Sequence, residues 1–309
     1  MSDHELVFTT PAAATPWKRW MLYSPFARIL IFALMMVVLT IALYTPFREI
    51  GWTAKDAAAT KSGLVEFVVR ALAPLIAYLL LVRLIERRSI AELAPGKLIP
   101  GGLMGISAGL TMVSATVGIL ALLDSYHVIG FNSGMNWLGM LTLVGLGAAI
   151  GEEVMFRGVL FRIVEEGLGS WWALALSALF FGAIHFGNQG ATFWSSIAIA
   201  VDAGLMLGLL YHVTRSLPVC MGLHAAWNFF QGPFYGTPVS GFKAEGWLVS
   251  TLSGPDWLTG GEFGLEGSVV MVAVCSLITL GLLIVALRRG SLVPCRPWQR
   301  LRHRNELSE

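Results

Sequence analysis

Hydrophobic residues occur along this chain in long runs that are separated by short polar segments. A transmembrane helix needs about 20 mostly apolar residues. Five runs near that length are clear, and they span residues 29–47, 67–84, 101–123, 192–211 and 268–287. Three more contain polar or charged residues, and they span 137–164, 171–186 and 217–231. The pattern predicts an all-α membrane protein, built as a bundle of about eight transmembrane helices.

The amino-acid composition agrees with a membrane location and excludes several other classes of protein. Of the 309 residues, 56% are hydrophobic and 13% are charged, whereas an ordinary soluble domain has about 25% charged residues. So few charges cannot cover a surface that faces water. The net charge of +2 argues against a nucleic-acid partner, and 3 cysteines argue against a disulfide scaffold. The partner that the composition indicates is the lipid bilayer.

The positively charged residues indicate an orientation. With eight spans and a cytoplasmic N-terminus, 16 of the 21 lysines and arginines fall on the cytoplasmic side. Membrane proteins concentrate such residues in their cytoplasmic loops, so we expect both termini to be cytoplasmic. The chain then divides into a cytoplasmic N-terminal segment (1–28), a membrane domain (29–287) and a basic cytoplasmic C-terminal tail (288–309).

Charged residues interrupt the run 137–164 at Glu152, Glu153 and Arg157. A charge at the bilayer centre costs about 2.5–3.5 kcal/mol and normally faces a bundle interior or a water-filled cavity. Glu153 and Arg157 are four residues apart, so they contact each other on a helix. Glu152 lies on a different face and needs another partner, a water or a proton, which suits a general base. The alternative is that all three form a purely structural ion network.

The other two interrupted runs each carry polar residues at helical spacing. Phe181 and His185 share one helix face, and His185 lies about fourteen residues into its apolar run, near mid-depth at 1.5 Å per residue. His224 and Asn228 also share a face, and both can donate hydrogen bonds into one space, as the donors of an oxyanion hole do. Packing or hydrogen bonding between helices accounts equally well for each residue taken alone.

Polar residues on three separate helices have a common explanation. A bundle can direct all of them into one cavity, which hydrates them at lower cost than three separate burials. Glu152, His185 and His224 would also supply a zinc site with one open position. The zinc-protease motif H-E-x-x-H does not occur in the sequence. A glutamate and two histidines on different helices are therefore compatible with zinc but do not require it.

Small residues recur at helical spacing in two of the runs. Gly101, Gly105 and Gly109 form one stripe, and Gly204 and Gly208 form another. Such stripes allow close approach between helix backbones in lipid. They indicate how the bundle is packed and carry no chemistry.

Two features remain without an assigned role. Asp202 lies in the middle of the run 192–211, where we expect it to make a structural hydrogen bond. The glycine-rich segment 232–267 is compatible with an interfacial or partly re-entrant lid and equally with an ordinary loop.

The three polar motifs together resemble the CPBP family, the CAAX prenyl endopeptidases and bacteriocin-processing enzymes that are also called the Abi family. The resemblance is strong over residues 137–231, whereas the first three helices and the eighth are similar only as hydrophobic spans. The segment 204–211, followed by Ser216, Leu217 and Pro218, is similar to the bacterial branch. In chain order the motifs are E-E-x-x-x-R (Glu152, Glu153, Arg157), F-x-x-x-H (Phe181, His185) and H-x-x-x-N (His224, Asn228).

The resemblance implies an eight-helix intramembrane endopeptidase of a bacterial inner or plasma membrane. Its substrate would be a peptide or a lipid-modified protein. By the same resemblance Glu152 activates water and His185 helps to hold that water. His224 and Asn228 would stabilise the tetrahedral oxyanion.

The resemblance also assigns structural roles. Glu153 and Arg157 would form an ion pair, and Phe181 would be a packing residue of its motif. A glutamate-based mechanism and a metal-assisted one both fit the pattern; we favour the glutamate-based mechanism without a cofactor and keep zinc as the alternative. From the residues alone, the main alternative function is a non-catalytic membrane binding or bacteriocin-immunity protein, and a transporter with a proton relay is a third.

Overall fold

The computed structural model describes residues 10–11, 13–54, 59–243 and 246–295. Lys55 and the tail arginines beyond residue 295, which enter the orientation argument, lie outside the described residues. The helices of the described part are α1 (Pro16–Met21), α2 (Pro25–Glu49), α3 (Thr60–Glu86), α4 (Pro95–Leu122), α5 (Trp137–Leu168), α6 (Ser170–His185), α7 (Phe193–Thr214), α8 (Leu217–Phe229), α9 (Asp256–Thr259) and α10 (Val269–Arg288).

The chain is an all-α, multi-pass membrane protein. In its described part, six helices are long and apolar enough to cross a bilayer, namely α2, α3, α4, α5, α7 and α10. Two of the predicted spans are shorter, because α6 has 16 residues and α8 has 13. At 1.5 Å per residue α6 measures about 24 Å, less than the hydrocarbon thickness of about 30 Å. The predicted count of eight membrane-crossing helices is therefore not confirmed.

Glycines bring α4 and α8 into backbone contact. A Cβ atom added at Gly105 would lie 2.1 Å from the carbonyl oxygen of Val219, and one at Gly109 would lie 2.5 Å from that of Leu223. The second stripe acts in the same way, since a Cβ atom at Gly204 would lie 2.7 Å from the Cα of Ala178 in α6. The small residues thus set the spacing of the helices around the site.

A small sheet, which the hydrophobic pattern did not predict, joins two of the connecting segments. Strand β1 (Tyr126–Phe131) follows α4 and pairs antiparallel with β2 (Leu248–Leu252) in the segment between α8 and α10. Two backbone 3₁₀ turns, Gly261–Phe263 and Leu265–Gly267, complete that segment before α10 begins. The pairing fixes the glycine-rich segment over one end of the bundle.

Helix α5 contains two wider, π-helical stretches, Leu141–Gly147 and Val154–Phe161. They flank a regular α-helical turn, Ala148–Glu153, that carries the two adjacent glutamates. Stretches of π-helix occur frequently at functional sites because they redirect side chains relative to a regular helix. The glutamates are therefore presented from the most irregular part of the longest helix.

Asp202 does not make the structural hydrogen bond that we expected. Its side chain is fully buried in α7, and neither carboxylate oxygen has a hydrogen-bond partner among the described residues. The nearby Cys275 thiol lies in the apolar helix α10. The short Asp202 side chain consequently meets no donor, and that expectation was wrong.

Candidate active site

A cavity of about 660 Å³ lies between α3, α5, α6, α8 and the segment that follows α8. The four side chains predicted to be catalytic all line it: Glu152, His185, His224 and Asn228. They come from α5, α6 and α8, as the three interrupted runs predicted. The cavity is also lined by polar or charged residues that the sequence did not single out, namely Glu66, Arg70, Asn188, Ser240 and Lys243.

Beneath the cavity, Glu153 and Arg157 form a fully buried ion pair. Arg157 Nη1 lies 2.8 Å from Glu153 Oε1, and neither side chain has any exposed surface. The guanidinium also donates from Nη2 to the carbonyl oxygen of Ala203 at 2.5 Å and lies 5.1 Å from the centre of the Phe181 ring. The pair therefore ties α5 to α6 and α7.

Glu153 has a second partner that the sequence did not indicate. Its Oε1 atom lies 2.8 Å from Nδ1 of His224. A carboxylate can only accept a hydrogen bond, so Nδ1 carries the proton. The other ring nitrogen, Nε2, lies 3.9 Å from Oε2 of Glu152. His224 is thus held between two consecutive glutamates, oriented by one and facing the other.

Glu152 has unused hydrogen-bonding capacity and faces the cavity. Its side chain is 15% exposed, and it lines the cavity. Within the described part of the chain, its Oε2 atom has no hydrogen-bond partner. A water molecule placed between Glu152 and His224 could bond to both, because a separation near 4 Å is too long for a direct hydrogen bond.

His185 is the last residue of α6, and its position near mid-depth of the membrane stays a prediction. The run 171–186 continues past the helix end because Phe186 is apolar, and hydrophobicity alone did not show where the helix stops. The imidazole stacks on Phe181, with ring centres 4.7 Å apart. Its Nδ1 atom donates to the carbonyl oxygen of Phe181 at 2.7 Å. This leaves Nε2 available in the cavity.

Asn228 lies on the same face of α8 as His224, and both residues line the cavity. Its amide nitrogen donates to the carbonyl oxygen of Val144 in α5 at 3.3 Å. A bond of that length is weak, and it holds the amide against the wall of the cavity.

The outer wall of the cavity is held by Glu266. Its Oε1 atom accepts hydrogen bonds from the backbone nitrogen and hydroxyl of Ser240, each at 3.1 Å, and its Oε2 atom accepts from Gln231 Nε2 at 2.5 Å. The carbonyl oxygen of Ser240 in turn accepts from Asn188 at 2.9 Å. Burial raises the pKa of Glu266 to about 7. No sequence pattern marks this arrangement, since Glu266 is one of three glutamates in the glycine-rich segment 232–267.

Comparison with known families identifies the central part of this arrangement. Residues 134–230 match the model of a family described as Type II CAAX prenyl endopeptidase Rce1-like. The recognition made from the three motifs is thereby confirmed, and we call the matched residues 134–230 the CAAX protease segment. This family implies CAAX-type intramembrane protease activity. A comparison with curated proteins gave no match.

The CAAX protease segment contains every residue of the three motifs and the helices α5 to α8. It excludes Glu66 and Arg70 of α3 and the segment 239–243, which also line the cavity. The cavity is thus built partly by helices that the family match does not cover.

His185 and His224 have side chains suited to a metal as well as to a water. Both Nδ1 atoms are hydrogen-bonded, to Phe181 and to Glu153, and both Nε2 atoms remain available. Histidines that bind zinc through one ring nitrogen likewise donate a hydrogen bond from the other ring nitrogen to a carboxylate or a backbone carbonyl. Among the described residues, no three His, Cys, Asp or Glu side chains are grouped closely enough to hold a metal ion. The zinc alternative, with Glu152, His185 and His224 as ligands, stays a prediction.

Proposed function

We propose that the chain is an intramembrane endopeptidase that hydrolyses a peptide bond in a membrane-associated or CAAX-like substrate, with Glu152 as the base that activates water. The observation that carries the proposal is the 3.9 Å gap between Glu152 Oε2 and His224 Nε2 in a cavity shared with His185 and Asn228. A water that bonds to both groups would be positioned to attack a bound substrate.

The reaction begins with the water in this gap. Glu152 takes a proton from the water while the water oxygen attacks the carbonyl carbon of the substrate. The C–O bond forms, and the carbonyl electrons move to the oxygen to give a tetrahedral intermediate. Glu152 then returns the proton to the leaving nitrogen as the C–N bond breaks. His185, through Nε2, accepts a hydrogen bond from the water and helps to position it.

His224 and Asn228 stabilise the negative charge of the intermediate. Glu152, Glu153, Arg157 and His224 together carry no net charge when His224 is protonated on both nitrogens. In that state Nδ1 donates to Glu153, and Nε2 donates into the cavity. The Asn228 amide, released from its weak bond to the Val144 carbonyl, supplies the second donor of an oxyanion hole.

The alternative is a non-catalytic membrane binding or bacteriocin-immunity protein that uses the same cavity to hold a peptide. Binding would need the shape of the cavity but not the ionisable carboxylate of Glu152. The two functions therefore respond differently to replacement of that one side chain.

A cleavage assay with purified protein tests the proposal. Fluorogenic farnesylated CAAX peptides and their unprenylated counterparts are incubated with wild type, Glu152→Ala and His185→Ala, and the products are identified by mass spectrometry. Glu49→Gln, an exposed carboxylate at the end of α2, is the control. We expect cleavage by wild type and by the control, and its loss in Glu152→Ala. Peptide binding without any cleavage would favour the alternative.

A chelator arm of the same assay addresses the zinc alternative. We expect cleavage to continue when a chelator is present throughout. Loss of cleavage on chelation, with recovery on addition of zinc, would show that the mechanism is metal-assisted.

A further inference from the structure

A tight β-hairpin in the segment that follows α8 forms part of the cavity wall. Val239 and Phe242 pair through two backbone hydrogen bonds, of 2.9 and 2.8 Å, and Ser240 and Gly241 make the turn between them. Both turn residues have positive φ angles, +46° and +87°, as a type I′ turn requires. We call residues 239–242 the cavity hairpin.

The turn of the cavity hairpin is held by contacts with other parts of the chain. A serine rarely adopts a positive φ angle, and such a residue persists only where its surroundings fix it, most often at active sites and binding sites. Here Glu266 Oε1 accepts hydrogen bonds from both the backbone nitrogen and the hydroxyl of Ser240, each at 3.1 Å. A Cβ atom at Gly241 would lie 2.0 Å from the carbonyl oxygen of Gln189. The hairpin is therefore a rigid element of the wall.

Two further hydrogen bonds connect the cavity hairpin to the elements that carry the histidines. Asn188, three residues after His185, donates to the carbonyl oxygen of Ser240 at 2.9 Å. Gln231, seven residues after His224, donates at 2.6 Å to the carbonyl oxygen of the residue just before the hairpin. The position of the hairpin is thus set relative to both histidines.

The cavity hairpin presents an apolar surface to the cavity. Val239 and Phe242 both line the cavity, and Phe242 is 61% exposed. Ile184, which directly precedes His185 in α6, also lines the cavity and is 51% exposed. An accessible aromatic side chain on a rigid support is typical of a residue that contacts a ligand. These apolar side chains belong to the same cavity as the polar groups of the proposed reaction.

From these observations we propose that the cavity hairpin is a substrate-binding wall of the site, in which Phe242 contacts an apolar group of the substrate. Glu266 is then a positioning residue, which acts on the substrate only by holding the hairpin through Ser240. The apolar group is either a side chain next to the bond that is cleaved or the lipid of a prenylated peptide. The proposal rests on the proposed endopeptidase function for the nature of the substrate, and it assigns a binding role to residues outside the CAAX protease segment.

Steady-state kinetics of purified Phe242→Ala tests the contact. The substrates are fluorogenic farnesylated peptides and their unprenylated counterparts. Phe193→Ala, at the start of α7, is the matched control, because Phe193 is 76% exposed and is not among the residues that line the cavity. We expect KM to rise about tenfold or more in Phe242→Ala. We expect kcat and the unfolding midpoint to match the control, because a contact made equally in the ground state and the transition state affects KM alone.

The two kinds of peptide identify the apolar group. A rise in KM that is confined to farnesylated peptides would show that Phe242 contacts the lipid, and an equal rise for both peptides would show that it contacts a side chain. An unchanged KM for both peptides would overturn the proposal.

A double-mutant cycle tests the positioning role of Glu266. In Glu266→Gln, either orientation of the amide places an N–H donor against the Ser240 backbone nitrogen or the Gln231 amide nitrogen, which are themselves donors. We expect KM to rise in this variant and not in the exposed control Glu262→Gln. In the double variant with Phe242→Ala, we expect KM to be no higher than in Phe242→Ala alone, because both changes act through one contact. Independent effects that multiply would show that Glu266 does not act through the hairpin.

Peptide binding separates this proposal from the proposed function. The affinity of labelled peptides for wild type, Phe242→Ala and Phe193→Ala is measured by fluorescence anisotropy, which needs no catalysis. If wild type cleaves no peptide, the proposed function fails, whereas weaker binding to Phe242→Ala than to the other two proteins still supports the binding wall. Equal affinity of all three proteins, or no binding to any of them, would overturn the inference even for an active enzyme.

Discussion

His224 Nδ1 lies 2.8 Å from Oε1 of Glu153 and not from its neighbour Glu152. Glu153 is therefore more than the ion-pair partner of Arg157, because it also fixes the orientation of an imidazole in the cavity. The nitrogen that remains, Nε2, faces Glu152 across 3.9 Å. Two consecutive glutamates thus have different roles, with Glu153 as a positioning residue and Glu152 free to bind water.

Replacing Glu153 tests this positioning role. Glu153→Gln leaves Arg157 buried without a carboxylate, which costs about 3–5 kcal/mol of stability. We therefore expect poor folding of the single variant. In the double variant Glu153→Gln, Arg157→Met, both charges are removed together, and we expect the thermal stability to recover.

Activity should remain about 100-fold or more below wild type in this double variant, because His224 has lost the carboxylate that fixes its orientation. The measurement is kcat and its pH profile, set beside the unfolding midpoint. A stable double variant with wild-type kcat would show that Glu153 serves packing only.

Gly105 tests the close contact between α4 and α8. A Cβ atom there would lie 2.1 Å from the carbonyl oxygen of Val219, so Gly105→Ala forces the helices apart. We expect a loss of stability of about 1–3 kcal/mol. Gly118→Ala in the same helix is the matched control, because a Cβ atom at Gly118 meets nothing within 4 Å. Equal unfolding midpoints for the two variants would contradict this account of the packing.

Glu266 predicts a specific pH dependence of stability. Its pKa is about 7 in the folded protein and 4.5 as the ordinary value, because burial favours the neutral acid. The contribution of Glu266 to the free energy of unfolding is therefore fully present below pH 4.5 and is lost as the pH rises through 7. The loss is no more than about 1.4 kcal/mol per pH unit. In Glu266→Gln this part of the dependence of the unfolding free energy on pH is absent. The exposed Glu262→Gln is the control.

The readout for Glu266 is the unfolding midpoint between pH 5 and pH 8. We expect wild type and the Glu262→Gln control to lose stability across this range and the Glu266→Gln variant to lose less. An identical slope in all three proteins would show that Glu266 does not titrate there.

The sequence predicted the membrane spans well, because hydrophobic run length directly reports what lipid requires. The run 29–47, for example, became α2 (Pro25–Glu49). It also predicted that Glu152, His185, His224 and Asn228 share a cavity, since buried polar groups on separate helices are cheapest to hydrate together.

Other features depend on contacts between distant parts of the chain and could not be predicted. Glu153 and His224 are 71 residues apart, so no local pattern reports their hydrogen bond. The β1–β2 pairing and the contact of Glu266 with Ser240 likewise join segments that only the fold brings together. Asp202 shows that a local pattern can also mislead. We expected its side chain to make a hydrogen bond, but the described residues packed around it supply no donor.

The central claim is that Glu152 is the base that activates water, and the most direct test is the rate of peptide cleavage by purified Glu152→Gln. The amide has the size of the carboxylate but cannot take the proton. We expect kcat to fall by about 10²–10⁴-fold while the unfolding midpoint and peptide binding match those of wild type and of the control Glu49→Gln. A Glu152→Gln enzyme that cleaves as fast as the Glu49→Gln control would contradict the account.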